Sequence, residues 1–394
     1  MKTKYSGVKK SWWVGLLAVL TVFSAGPWNA AKGASKNGYI VFVGTYTKGD
    51  SKGIYGFRFD AAGKSTPLGL LAATENPSFL TLDSGGHFLY AVNESPAYKG
   101  AKGGGVTAFA VDHASGKLTE LNEVSSRGAD PCYISLDKTG KYVLVANYTG
   151  GNVAVFPIEK DGKLGEASAF VQHAGKGANA ERQEGPHAHW IETTADNRFA
   201  IVVDLGLDKL MVYKFDAAKG TLTANDPAFA KVEDGQGPRH VAFHPNGKFV
   251  YALNEVGSTI TGFSYDAAKG SFAPLGQMIS TLPKGFSAEN TTAEIHVHPN
   301  GKFLFASNRG HDSIVAYSID QSSGKLTLID YFPTQGKNPR DFDIDPSGKF
   351  LFAANEDSAN VVIFKIDEKT GRLTPTGETL KVPFPVCLKF MAAD

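Results

Sequence analysis

The chain has 394 residues, with 40 Lys plus Arg against 39 Asp plus Glu, so no global field draws it to nucleic acid or to an anionic membrane. Hydrophobic residues at 42% can fill a core, while 44 Gly and 26 Phe against 4 Met point to many strands joined by tight turns. Two cysteines are too sparse for a disulfide framework, and the lack of a Cys-x-x-Cys excludes zinc-finger sites.

In chain order, Lys2, Lys4, Lys9 and Lys10 precede an apolar run from Trp12 to about Ala25. Small residues around Ala30 and Ala31 then suit a signal-peptidase cut. The run is short of the ~20 apolar residues of a membrane span, which disfavours the alternative of an uncleaved anchor. No Cys follows it to carry a lipid. The expected division is a signal peptide over 1–31, a linker over 32–38 and one folded domain over 39–394. The domain is expected to be exported, periplasmic or secreted, and free of the membrane after cleavage.

Past Tyr39 one phrase recurs. It is plainest as PNGKFVYALNEV (245–256), PNGKFLFASNRG (299–310) and PSGKFLFAANED (346–357), with weaker copies at 84–95, 138–149 and 195–206. The Asn or Asp ending each run falls at 93, 147, 204, 254, 308 and 355, at intervals of 47 to 57 residues. A period near 50 denotes a propeller, a solenoid or an array. The unit around 240–279 reads HVAFH, FVYALN, TITGFSYD and SFAPLGQMI, four short runs separated by Asn-Gly and Lys-Gly turns. These are consecutive antiparallel hairpins, and four strands per unit make a propeller blade. First strands begin near Ser78, Cys132, His187, Arg239, Glu294, Arg340 and Val386, which makes seven. The last, VCLKF (386–390), has no partner after it, and YIVFVGTY (39–46) has none before it. The reading is all-β: a seven-bladed β-propeller of four-stranded antiparallel blades, with blade one built from both chain ends so that two sheet edges are closed. Cys132 then opens blade three and Cys387 lies in blade one, too far apart to bridge.

The recurrent phrases, with GPHAH (185–189), GPRHVAFHPNGKFVYALNE (237–255), AEIHVHPNGKFLFASNRGHDSI (293–314) and NPRDFDIDPSG (338–348), resemble the propeller-type lactonase family over Tyr39 to Phe390. That family includes bacterial 6-phosphogluconolactonases of the propeller kind and carboxymuconate-lactonizing enzymes. The resemblance implies a lactone hydrolase that opens a sugar-acid or related anionic lactone with an activated water. A muconate-type lactonizing cycloisomerase and a non-catalytic envelope propeller that binds a sugar acid or a partner protein are the alternatives. The export signal departs from the cytosolic phosphogluconate enzyme.

Propeller geometry lines the central channel with the first strands and gathers two sets of residues at one mouth. The first follows the Pro that opens each first strand: Ser78, Cys132, His187, Arg239, Glu294 (after Ala293), Arg340 and Val386. The second follows the Asn or Asp that ends each second strand: Glu94, Tyr148, Leu205, Glu255, Arg309 and Glu356. Charges that are costly to bury unpaired are either paired with one another or kept for a ligand. On this reading His187 and Glu255 activate water and Arg309 steadies the oxyanion, while His189, Arg239, Glu294 and Arg340 hold the substrate. The alternative for His187 and His189 is packing of the channel. His240 and His244 read as packing, and His296 and His298 as buried strand residues. His187, His189 and Glu255 or Glu294 could ligate a metal on paper, but two arginines at the same mouth favour an anion, so no metal or cofactor is expected. No Gly-x-Ser-x-Gly elbow marks a serine hydrolase. Two long loops, 171–185 with Glu181 and Arg182, and 281–293, are candidate lids. The Gly-rich loop 95–105 lacks a phosphate-binding context.

Overall fold

The structure, a computed structural model, describes residues 1–4, 7, 35 and 37–393. The expected signal peptide, its cut and most of the linker lie outside the described residues. Seven four-stranded antiparallel sheets succeed one another along the chain. Blade one is Tyr39–Thr45, Gly53–Phe59 and Ser65–Ala73, completed by Pro385–Ala392 from the other end of the chain. Tyr39–Thr45 pairs with Gly53–Phe59 on one side and with Pro385–Ala392 on the other, Val43 opposite Leu388. The ring therefore closes through backbone hydrogen bonds between the two termini of the domain. One addition was not expected: the Gly-rich loop holds a small hairpin of Ala97–Tyr98 and Ala101–Lys102.

Second strands such as Tyr142–Asn147 and Phe249–Asn254 are buried throughout. Each is covered on both faces by neighbouring blades, which is why their sequences run continuously apolar rather than alternating. Outer strands such as Ser271–Ser280 have no such cover and alternate towards solvent. The Pro-Asn-Gly-Lys turns need a left-handed residue, and Gly247 (φ 70°) and Gly301 (φ 73°) supply it. These turns also tie blades together. The His244 Nε2 donates to the Gly301 carbonyl at 2.7 Å, and His298 Nε2 to the Gly348 carbonyl at 2.7 Å. Each Nδ1 accepts from a backbone N–H two residues on, which fixes the tautomer. His244 and His298 are thus inter-blade staples. The recurring Asn residues hold the second turn, as Asn147 does by donating to Asn152 Oδ1 at 2.7 Å and to the Ser126 carbonyl at 3.0 Å. Cys132 and Cys387 are separate, buried free thiols.

Candidate active site

The channel wall is set by one backbone irregularity. In blades three to seven the first strand slips register against the second, between Pro131/Tyr133, Ala188/Trp190, Pro238/His240, Thr292/Ile295 and Pro339/Asp341. Each slip inserts one extra residue, a β-bulge, so two successive side chains leave the strand towards the channel instead of one. The extra residues are Cys132, His189, Arg239 and Arg340. In blade six Ile295 pairs with Ala306, which puts Glu294 opposite Ser307, the place His240 holds opposite Leu253, and leaves Ala293 as the extra residue. The same slip in blade one selects Val386. This corrects the sequence-derived ring in two places: His189, not His187, is the bulge residue of blade four, and Ala293, not Glu294, that of blade six.

At one mouth the bulge residues meet the side chains that follow the second strands. They enclose a cavity of about 240 Å³ lined by Glu94, Cys132, Tyr148, Arg182, His189, Glu255, Arg309 and Arg340. That is below the ~300–1,000 Å³ of pockets for drug-sized ligands, so the occupant is small.

On one side of this cavity Glu255 is the hub of three guanidiniums. Its Oε1 accepts from Arg182 at 2.6 Å, and its Oε2 lies 3.1 Å from Arg239 Nε and 2.9 Å from a terminal nitrogen of Arg309. Arg239 also donates to the Ala293 carbonyl and Arg309 to the Thr292 carbonyl, at 2.6 and 2.7 Å. Both Nε atoms are buried without an aligned acceptor. Burial alone would push the Glu255 carboxyl up, but Arg309, Arg239 and Arg182 outweigh it and hold it at about 2. Arg309 feels the converse: burial, with Arg239 and Arg340 adding to it, draws it down to about 10 against the pull of Glu255. Positive charge is therefore in excess on this wall, and an anion relieves it.

The opposite side is built from Glu94, Arg340 and Tyr46. The Tyr46 hydroxyl donates to both Glu94 oxygens at 2.9 and 3.1 Å, and the Arg340 guanidinium lies 5.2 Å from the Tyr46 ring. Among the described residues Arg340 makes no ion pair. Burial pushes the Glu94 carboxyl above its ordinary range and outweighs Arg340 and the Tyr46 hydroxyl. The cavity thus holds two carboxylates of opposite character, Glu255 permanently ionised and Glu94 displaced towards neutrality. Glu356 is also buried on this side and pairs with Lys48 at 2.8 Å.

The histidines of the Gly-Pro-His-Ala-His stretch separate. His187 lies outside the cavity lining, stacked on Tyr148 with ring centroids 4.5 Å apart. Its Nδ1 faces the Tyr148 carbonyl at 3.1 Å and its Nε2 the exposed Glu184 at 3.2 Å. His189 does line the cavity. Burial, then Arg239, His240 and Arg340, hold it well below the ordinary histidine value, so it is neutral. Beneath it His240 is also kept neutral, mainly by burial, and faces Glu294 through Nδ1 at 2.9 Å.

Loop 171–185 is a fixed strap. Gln183 donates to the Leu205 carbonyl at 2.8 Å and to Asp208 at 2.7 Å, and His173 Nδ1 meets Asp204 at 2.5 Å. This anchoring delivers Arg182 to Glu255. Loop 281–293 contributes no lining residue to the cavity.

Of the residues expected at one mouth, His189, Glu255, Arg309 and Arg340 line the cavity, Arg239 supports it from behind, His187 stands at its edge, and Glu294 belongs to the other end of the channel. Arg182 was expected in the pocket region on a candidate lid, Glu94 and Tyr148 were placed at this mouth without a chemical role, and Tyr46 was not singled out. The signal that finds the bulge residues is the spacing. Pro131 and Asn147, Ala188 and Asp204, Pro238 and Asn254, Thr292 and Asn308, and Pro339 and Asn355 are paired, each sixteen residues apart. The bulge residue is the one after the first member of each pair.

A family model described as Lactonase, 7-bladed beta-propeller matches residues 40–390. The 6-phosphogluconolactonase of Bacillus subtilis (strain 168) is 40% identical over 355 residues, 90% of this chain and 98% of that protein. The 6-phosphogluconolactonase of Formosa agariphila is 36% identical over 309 residues, 77% of this chain and 86% of its own. The solved structure of a periplasmic gluconolactonase from Pseudomonas aeruginosa has a TM-score of 0.84 at 34% identity, covering 90% of this chain and 99% of that one. A match that spans the ring, with relatives this similar in sequence and fold, makes this chain a member of the lactonase family of seven-bladed β-propellers.

Proposed function

We propose that the cavity of Glu94, Arg309 and Arg340 is the active site of a lactone hydrolase that opens a small anionic sugar-acid lactone. The observation that carries the reading is the presence, in one enclosure, of a guanidinium that makes no ion pair among the described residues, Arg340, and a carboxyl raised by burial, Glu94. Arg340 binds the carboxylate or phosphate of the substrate, a planar fork meeting a planar anion. Glu94 takes a proton from water as the water oxygen bonds to the lactone carbonyl carbon. The carbonyl oxygen becomes an oxyanion beside Arg309, whose Nε has no aligned acceptor. Collapse breaks the ring C–O bond, the proton returns from Glu94 to the departing ring oxygen, and a hydroxy acid results.

This division favours Glu94 over Glu255 and His187 for water activation. A carboxyl held at about 2 by three arginines is a poor base, and its place is to position them. His187 serves by stacking on Tyr148 at the edge. His189 and Arg239 line and back the substrate. The basic run and apolar stretch of residues 1–31, with a periplasmic relative in Pseudomonas, support export of the domain.

The test is hydrolysis of a panel of lactones with and without a phosphate or carboxylate, by wild type, Arg340→Ala and Glu94→Gln. Turnover of the anionic members, weakened in both variants, is expected. If no lactone is opened, or both variants match wild type, the reading fails and a binding propeller takes its place.

A further inference from the structure

The opposite mouth of the channel holds a larger cavity, about 560 Å³, that shares no lining residue with the first. Between them stands His240, its ring 5.1 Å from those of His189 and Tyr133. One half of the lower wall is aromatic. Phe79, Tyr133, Trp190 and Phe243 follow one another around blades two to five, with neighbouring ring centroids at 4.2, 5.7 and 6.5 Å. The other half is polar: Glu294 and His296 from blade six and Lys389 from blade one. Glu192 stands at the edge, held by the Tyr133 hydroxyl at 2.9 Å and by Lys138 at 3.8 Å.

We propose that this lower cavity is a binding site for a neutral sugar ring of the hexopyranose class, distinct from the anion site above. A pyranose has C–H faces that rest on the negative faces of aromatic rings and an equator of hydroxyls that both donate and accept. The partly exposed Phe243 ring, backed by the buried Phe79, Tyr133 and Trp190, and the polar half match those two surfaces. The polar half mixes donors, Lys389 and His296, with acceptors, Glu294, Glu192 and the adjacent Asp343. His296 Nε2 is 4.0 Å from Glu294 and 3.9 Å from Asp343, gaps wide for a direct hydrogen bond that leave all three polar groups able to turn to a ligand hydroxyl. The Lys389 ammonium has no ion pair or hydrogen bond among the described residues and lies 4.7 Å from the Phe79 ring.

The charge of the wall excludes the two competing ligand classes. Glu192 pairs with Lys138, and Glu294, with Asp343 beside it, outweighs Lys389, which disfavours the sugar acids that the upper cavity attracts. Burial, then Glu294, pushes the Asp341 carboxyl well up, so Asp341 adds no full negative charge here, and burial raises Asp343 as well. A ligand cation would compete with Lys389, which already occupies an aromatic face.

The experiment is calorimetric titration of the full chain with methyl glucopyranoside, gluconate and tetramethylammonium, together with saturation-transfer NMR from the aromatic protons. Millimolar binding of the glucoside, with transfer to its ring C–H protons and no binding of the other two, is expected. His296→Ala, at a partly exposed position, and Lys389→Met should each weaken it about tenfold, the loss of one hydrogen bond. Arg340→Ala, in the other cavity, should not change it. Absence of glucoside binding through the millimolar range, binding unchanged in His296→Ala, or a preference for gluconate or the cation overturns the proposal. Lactone hydrolysis enters none of these readouts, so the lower site stands or falls separately from the upper one.

Discussion

Replacing Glu255 by Gln keeps the shape of the side chain and removes the charge that three guanidiniums share. The carboxylate is almost wholly buried, with its side chain 7% exposed, and its partners Arg239 and Arg309 are 4% and 14% exposed. Their charges therefore cannot be handed to water. Breaking a buried ion pair by removing one partner costs about 3–5 kcal/mol. Linkage gives a similar figure. A carboxyl moved from 4.5 to about 2 contributes on the order of 3 kcal/mol of stability at neutral pH. The sign is that of a depressed acid. The contribution is complete above the unfolded value, near 4.5, and is lost as pH falls through about 2. Gln does not titrate, so the gap between wild type and Glu255→Gln should be full at pH 7, fall to roughly half by pH 3, and close at lower pH. Urea unfolding of both proteins, followed by circular dichroism at the two pH values, measures the gap directly. A gap at pH 7 below about 1 kcal/mol, the worth of an exposed pair, would refute the reasoning. So would a gap that does not narrow on acidification. A variant that keeps full stability and loses only turnover would return Glu255 to the role of base.

Three further outcomes follow from the same geometry. Glu94→Gln should lower turnover of the preferred lactone by about 10²–10⁴, and the wild-type rate should fall on acidification through a value above the ordinary carboxylate range, because the active form is ionised and burial raises its pKa; an acid limb near or below ~4 speaks against it. Arg340→Ala should raise KM for anionic lactones far more than for uncharged ones, and an equal rise for both would deny it the anion. A Cβ at Gly206 would stand 1.9 Å from the Gly185 carbonyl, so Gly206→Ala should displace the strap that carries Arg182, cost about 1–3 kcal/mol and speed proteolysis within 171–185; an unchanged cleavage pattern counts against the strap.

The blade count, the closure of blade one and the choice of mouth were legible because each rests on a local signal. The Lys-Phe runs that follow Pro-x-Gly turns are strands buried on both faces, and in four blades the terminal Asn holds the same turn by donating to the residue five on. Side chains immediately after those Asn residues had to sit at one mouth. Four of them, Glu94, Tyr148, Glu255 and Arg309, line the cavity. Arg182 was harder to place, since the strap that aims it is held by Gln183 and His173, whose partners Asp208 and Asp204 lie 25 and 31 residues on. Which of the two acids suits the proposed role of base was not legible at all. Glu94 and Glu255 occupy equivalent positions, and only the number of guanidiniums around each separates them.

The two misplaced residues share one cause. That cause is a misread start of the bulge, by one residue in blade six, which puts Glu294 at the other end of the channel, and by two in blade four, which leaves His187 at the edge of the upper cavity. The opening Pro is a good marker of the bulge wherever it occupies the place opposite the terminal Asn, as Pro131, Pro238 and Pro339 do. In blade four that place belongs to Ala188, and Pro186 lies two residues earlier, where the His187 N–H is taken by Asp204 at 2.8 Å. In blade six Thr292 holds it, and Ala293, read as the Pro equivalent, is the bulge itself. Glu294 then falls in the next layer with His240 and Asp341. The consequence is chemical: with Glu294 below, the upper cavity keeps two carboxylates against three lining arginines and attracts anions, while the lower one collects the acids.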